Sequence, residues 1–204
     1  MTKELDLTFC FKGNRKYVQG PDIFDAVVSQ LEEEFHAIKG IKYTAYNMLY
    51  KNATMSITNK VVKTDYPIIN SLISFMNNGV KYYAVVCENN NEIECATEYS
   101  EEIVNKQSKI IDETITFINI LDDSYVEIVV SMNKYFLNQT IKEKGKWIVT
   151  KFDFFELNNI ADIKNKEIRV ELVQNLNNKL TKSLLYLDDK LVGHLYFSLI
   201  PKES

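Results

Sequence analysis

The sequence repeats one order of predicted elements at an interval of roughly 100 residues. An amphipathic helix is predicted over 22–38, because Ile23, Val27 and Leu31 recur at helical spacing, and the same periodicity predicts a second helix over 124–141. Each predicted helix follows one strand candidate and precedes four more. Since such helices must bury one face against a sheet, the pattern predicts an α+β fold of two similar units, each a long helix packed on an antiparallel sheet.

The predicted strands have alternating or β-branched residues between turn signals. They cover 5–11, 41–50, 54–64, 80–88 and 92–99 in the first half, and 114–121, 147–157, 166–173, 183–187 and 191–199 in the second. Residues 67–76 fit a short helix as well as a strand, and 80–88 with 92–99 predict a hairpin around 89–91. The charged stretch 100–113 is typical of a connector, so we expect units at 1–105 and 106–204.

Composition and charge exclude several classes of function. The net charge is −4, with lysine and arginine scattered, which argues against nucleic acid as a partner. No run approaches the roughly 20 apolar residues that a membrane span needs, and the N-terminus lacks the pattern of a signal peptide. Three cysteines without framework spacing suggest reduced thiols. We therefore expect a cytoplasmic protein.

Two of the six glycines, Gly13 and Gly20, flank a short loop that leads directly into the first predicted helix. A chain with few glycines keeps them where the backbone must turn or approach another group closely. The loop is therefore the first place to look for a ligand. No phosphate loop, dinucleotide fingerprint or Gly-x-Ser-x-Gly elbow occurs, and we expect neither a metal nor a cofactor.

The loop resembles the active-site segment of the 3-hydroxyacyl-acyl carrier protein dehydratases of the hotdog-fold superfamily. In that family His-Phe-x-Gly is followed by a second glycine, and five residues later by an acid and alanine. Here Phe11-Lys12-Gly13 matches the first part, and Gly20-Pro-Asp-Ile-Phe-Asp25-Ala26 matches the second. The match covers about twenty residues closely, and the rest agrees in the order of elements. The resemblance implies two tandem hotdog-like units, of which the second lacks the glycine loop.

The resemblance also assigns roles to single residues. The Gly20 N–H would donate to a thioester carbonyl, where negative charge gathers in the reaction, and Asp25 would be the acid on the helix. Cys10 occupies the position of the family's catalytic histidine, and a cysteine thiol is a poor general base at neutral pH. We therefore predict Asp25 and Cys10 as catalytic candidates with the usual base missing.

Simpler interpretations stand beside these roles. With Asp22 as N-cap, Asp25 would be the third helical residue of a capping box. Cys10 would be a buried strand residue, since free cysteine commonly acts as a small apolar side chain. His194 has no partners at metal-ligand spacing, and would supply the missing base only if the fold brought it to the loop.

The function implied by the resemblance is acyl-thioester processing of the dehydratase type. The carrier would be acyl carrier protein or coenzyme A, the tunnel would be lined by Phe24, Val28 and Tyr43, and Gly13 and Gly20 would contact the substrate. A thioesterase on the same fold and a non-catalytic acyl- or lipid-binding protein are the alternatives, together with a ligand-binding module outside the family. The oligomeric state is left open, a homodimer included.

Overall fold

The computed structural model of the chain describes residues 3–35, 38–60, 66, 68–157 and 160–201. Residues 36–37 of the first predicted helix, 61–64 of a predicted strand and residue 67 lie outside this part of the chain. The chain divides into two compact units, Met1–Ser100 and Glu101–Ser204. Residues 102–111, which the sequence suggested as part of a connector, lie in the second unit.

The first unit is an antiparallel sheet with one helix of fifteen residues. Its elements are β1 (Lys3–Leu7), β2 (Phe11–Lys12), α1 (Gly20–Glu34), β3 (Lys39–Ala45), β4 (Ala53–Thr58), β5 (Ser71–Asn77), β6 (Val80–Glu88) and β7 (Ala96–Thr97). Five strands lie in the order β1-β4-β6-β5-β3. The short strands β2 and β7 pair in parallel apart from this sheet.

Apolar residues on one face of α1 form the core of the first unit. Ile23, Val27 and Leu31 are buried, as the helical spacing predicted, and Phe24 meets Tyr43 of β3 edge to face, with ring centroids 6.5 Å apart. The helix begins two residues before the predicted start. Pro21 fits this position because a proline at the start of a helix sacrifices no hydrogen bond.

One open assignment in the first unit is resolved, and one prediction is wrong. Residues 71–77 form β5, which makes a hairpin with β6 through Asn78 and Gly79, both with positive φ. Asn-Gly is the favoured sequence for such a two-residue turn, because both residues adopt positive φ at low cost. The predicted hairpin of 80–88 with 92–99 does not form. Instead β7 turns back to pair with β2.

The second unit is also an antiparallel sheet, with one helix of sixteen residues and two shorter ones. Its elements are α2 (Glu102–Gln107), β8 (Lys109–Ile111), β9 (Thr114–Ile118), α3 (Tyr125–Thr140), β10 (Gly145–Phe154), α4 (Ile160–Ile163), β11 (Glu167–Leu176), β12 (Leu180–Leu187) and β13 (Lys190–Pro201). Its strands lie in the order β10-β13-β12-β11-β9-β8.

Helix α3 begins one residue after the predicted start, and Ser124 is its N-cap. The Ser124 side chain caps it by accepting from the Glu127 N–H at 3.2 Å. Its buried face includes Val126, Val129 and Phe136, and Tyr125 meets Phe154 of β10 edge to face at 5.8 Å. In the described part of the chain, no helix is long and apolar enough to cross a membrane.

Candidate functional site

The glycine loop leads into the first turn of α1. Gln19 is the N-cap in extended conformation, Gly20 is the first helical residue, and Pro21 is the second. The N–H groups of a first helical turn have no acceptor within the helix, and the helix dipole adds positive character there. Pro21 has no N–H, so the neighbouring residue does not compete with the Gly20 N–H for a bound acceptor. This geometry suits a bound carbonyl oxygen or anion.

Asp25 lies in the second turn of α1, so the capping-box interpretation is wrong: the third helical residue is Asp22. Asp25 is half-buried, at the border between the buried face of the helix and its exposed side. On an ideal helix its Cα lies about 9 Å from that of Gly20. This spacing leaves room for a reacting group between the carboxylate and the backbone donor. The catalytic role of Asp25 stays a prediction.

An ion pair fastens the loop to the helix. The Lys12 Nζ lies 2.8 Å from Oδ1 of Asp22, and the two side chains are only 22% and 17% exposed. The second carboxylate oxygen of Asp22 is buried and has no hydrogen-bond partner in the described structure. Burial raises the pKa of the nearby Tyr43 hydroxyl, and the negative charge of Asp22 raises it further. The Asp22 carboxylate is therefore paired with Lys12 through one oxygen, while its other oxygen is buried beneath the start of α1.

The residues predicted to line a tunnel come together under the helix. Phe24, Val28 and Tyr43 are all buried, and the first and last are in ring contact. In this structure they are core residues between α1 and the sheet. Their contact with a substrate stays a prediction.

Gly13 serves the conformation of the loop. Its φ of +59° lies in the left-handed region that favours glycine, and its N–H donates to the Thr97 carbonyl at 2.9 Å. A backbone N–H already bonded inside the protein is not offered to a ligand. Next to it, the Arg15 guanidinium lies over the Tyr99 ring, 4.8 Å from the centroid.

Cys10 is joined to Cys95 in a disulfide bond, so the prediction of three reduced thiols is wrong. The pairing of β2 with β7 brings the two Cα atoms to 4.8 Å, within the range that a disulfide spans. A sulfur in this bond carries neither a thiol proton nor a thiolate. In the oxidised protein, Cys10 therefore has no group that can act as base or nucleophile. Cys87 is free, and burial raises the pKa of its thiol.

A groove at the other end of α1 had no signal in the sequence analysis. Its volume is about 550 Å³. Phe35 and Tyr82 form its aromatic wall, with ring centroids 5.1 Å apart, and the Lys3–Glu34 ion pair lies at its edge. Ile57, Thr58 and Asn59 complete the lining. These residues come from separate segments, so only the fold brings them together.

His194 lies on β13 of the second unit, opposite Asp153 of β10. Its ring meets Phe155 edge to face at 5.4 Å. Its predicted approach to the glycine loop stays a prediction. Among the described residues, no group of three or more His, Cys, Asp or Glu side chains is arranged to hold a metal ion.

Comparison with solved structures identifies the fold. No protein-family model matches the chain, and no curated protein matches it significantly. A pyran synthase domain from module nine of the sorangicin pathway superposes with a TM-score of 0.56 at 8% identity, covering 99% of this chain and 94% of that one. A protein described as a thioesterase II from Thermobifida fusca gives 0.55 at 8% identity, covering 98% and 92%.

A third structure is the dehydratase domain of PpsC from Mycobacterium tuberculosis in complex with C12:1-CoA. It gives a TM-score of 0.54 at 7% identity, covering 98% of this chain and 93% of that one. Thioesterase II and polyketide synthase dehydratase domains are hotdog-fold proteins. The chain therefore has the hotdog fold, and the resemblance predicted from the glycine loop is confirmed at the level of fold.

Proposed function

We propose that this protein binds acyl thioesters at the start of α1 and processes them there. The supporting observation is that the first unit presents the Gly20 N–H at a helix N-terminus, followed one turn later by the half-buried Asp25. The chain would then be two tandem hotdog-like units. Only the first would carry a site, because Leu121–Tyr125 contains no glycine.

The reaction that these groups suit best is hydrolysis. The Gly20 N–H would stabilise the negative charge that develops on the thioester oxygen, helped by the helix dipole. Asp25 would accept a proton from water as its oxygen attacks the carbonyl carbon, and the carbon–sulfur bond would then break. The products are a carboxylic acid and the carrier thiol, which takes up a proton.

Dehydration of a 3-hydroxyacyl group is the second candidate, supported by the loop's resemblance to the dehydratase segment. It needs a base that removes the α-proton and an acid that assists the departing hydroxyl. The disulfide leaves no base at Cys10. Hydrolysis needs only one carboxylate with a backbone donor, so it agrees better with the groups present.

Coenzyme A and acyl carrier protein are the carriers that we propose. Both are anionic, and the loop in front of α1 carries Arg15 and the exposed Lys16. Positive charge beside a cleft raises the local concentration of an anionic partner. The acyl group would lie near Phe24, Val28 and Tyr43, which would have to separate slightly to admit it.

A thiol-release assay on acyl-coenzyme A substrates of increasing chain length tests the proposal. We expect Asp25→Asn to lower turnover by about 10²- to 10⁴-fold, the range typical of a lost general base. Glu32→Gln is the matched control, since Glu32 lies exposed on the same helix and should leave turnover unchanged. Absorbance of the enoyl product from a 3-hydroxyacyl thioester detects dehydration.

Equal turnover by wild type and Asp25→Asn would contradict a catalytic role of Asp25. Binding of acyl-coenzyme A without turnover would favour the non-catalytic alternative. If the wild-type protein neither binds nor turns over any of the thioesters, the proposal fails.

A further inference from the structure

We propose that Sγ of Cys95 is a site of exchange with small-molecule thiols, and that exchange there loosens the glycine loop. This proposal does not depend on the proposed function. It rests on the exposure of Cys95 and on the contacts that join the disulfide to the loop.

The two cysteine residues differ in exposure. Cys95 is exposed, and so are its neighbours Glu94 and Ala96, whereas Cys10 is half-buried at the end of the segment that leads into β2. A thiolate attacks a disulfide sulfur directly, so access decides which of the two it reaches. The exposed Cys95 is therefore the sulfur under attack, and Cys10 is the leaving group.

The exchange needs no outside oxidant. The sulfur of the incoming thiolate bonds to Sγ of Cys95, the Cys10–Cys95 bond breaks, and its electron pair leaves with Cys10 as a thiolate. A second thiol molecule can then attack the mixed disulfide and release the small-molecule disulfide. The resulting Cys95 thiol already has an acceptor, since its Sγ lies 3.3 Å from the Phe9 carbonyl oxygen.

The disulfide supports a very small piece of structure. Strands β2 and β7 contribute two residues each. Their pairing includes two hydrogen bonds: the Phe11 N–H donates to the Cys95 carbonyl at 3.0 Å, and the Gly13 N–H donates to the Thr97 carbonyl at 2.9 Å. A two-stranded pairing of this length is marginal in water without a covalent link. Cleavage of the bond should therefore free these amides.

The loosened segment is connected to the start of α1. Lys12 lies in β2 between the two bonded amides, and its ion pair with Asp22 reaches the first turn of the helix. Exchange at Cys95 would weaken the anchor that holds this ion pair in place. The oxidation state of the disulfide would thus control the mobility of the loop next to Gly20.

Mass spectrometry locates the adduct. The experiment uses the full-length Cys87→Ser protein, because trypsin leaves Cys87 and Cys95 in one peptide, whereas Cys10 falls in another. The protein is incubated with reduced glutathione under nitrogen, quenched with acid, and alkylated with N-ethylmaleimide. We expect glutathione on Cys95 and the maleimide on Cys10.

Hydrogen exchange, started on the glutathione-treated protein before the acid quench, measures how well the loop amides are protected. We expect the amides of Phe11 and Gly13 to exchange at least about tenfold faster after treatment, as local opening does for weakly held segments. Amides of β12 in the second unit should not change. The double variant Cys10→Ser, Cys95→Ser should show the fast exchange without glutathione and no further response to it.

Three results would overturn the proposal. The first is a disulfide that stays intact, with neither glutathione nor maleimide on Cys10 or Cys95, and the second is glutathione mainly on Cys10. The third is slow exchange of the Phe11 and Gly13 amides, either in protein that carries the adduct on Cys95 or in the double variant.

Discussion

Asp22 and Asp25 are both acids in the first turns of α1, but their surroundings differ in the structure. Asp22 is the third helical residue, ion-paired with Lys12, and keeps one carboxylate oxygen buried without a partner. Asp25 stands at the border of the buried face. The sequence could point to both acids because a capping motif and a catalytic motif both place acids in the first turns of a helix. It could not separate them, because the separation depends on where the helix begins.

The buried Tyr43 hydroxyl makes the stability of the protein depend on pH. Burial raises the pKa of its hydroxyl above the ordinary value of 10.0, so the folded protein keeps this proton longer than the unfolded chain. The stabilisation is fully present below pH 10.0 and is lost as the pH rises through the raised pKa. We expect the free energy of unfolding, from urea titrations at about pH 8 and about pH 11, to fall less in Tyr43→Phe than in wild type. Equal losses in the two proteins would contradict this account of Tyr43.

The two long helices begin with different caps, so we expect their N-cap residues to contribute differently to stability. Ser124 accepts from the Glu127 N–H at the start of α3, whereas the Gln19 side chain makes no capping bond to α1. Ser124→Ala should therefore cost about 1 kcal/mol of the free energy of unfolding. Gln19→Ala should change it by no more than a few tenths, since no cap is lost. Urea unfolding of the two variants measures both changes. Similar losses of unfolding free energy in both would contradict a stabilising role of the Ser124 cap.

Helices and strands differed in how well the sequence predicted them. Both amphipathic helices were predicted, because Val27 and Val129 belong to long patterns with one consistent period. The β5–β6 hairpin was missed because the asparagine run at 89–91 was preferred over Asn78-Gly79 as the turn signal. The groove at Phe35 and Tyr82 left no local pattern at all, since it joins distant segments.

The disulfide joins the two ends of the first unit, because Cys10 and Cys95 are 85 positions apart in the sequence. It was not predictable from an odd number of cysteines without framework spacing. Removing a cross-link of this kind costs roughly 2–4 kcal/mol, because the unfolded chain gains freedom. We expect Cys10→Ala, Cys95→Ala to lower the free energy of unfolding by about this amount in urea titrations followed by circular dichroism. Cys87→Ser is the control and should unfold as wild type does. Superimposable curves for the double variant and wild type would contradict the prediction.

The fold of the chain is that of the hotdog proteins, but a shared fold alone does not assign a reaction. The same sheet-and-helix framework is found in a thioesterase II, a dehydratase domain and a pyran synthase domain, all at 7–8% identity to this chain. We propose that an acyl thioester places its carbonyl oxygen at the Gly20 N–H.

Selective labelling with nitrogen-15 glycine tests this claim most directly. The chain has six glycines, so a proton–nitrogen correlation spectrum holds at most six labelled backbone peaks, and Gly20→Ala assigns the one of interest. The probe is an acyl-coenzyme A analogue in which a methylene group separates the sulfur from the carbonyl, so that it cannot be hydrolysed at that bond. We expect the Gly20 peak to move downfield as the analogue saturates the protein, while Gly145 and Gly193 of the second unit stay in place. Saturable binding with an unmoved Gly20 peak, or no binding, would contradict the claim.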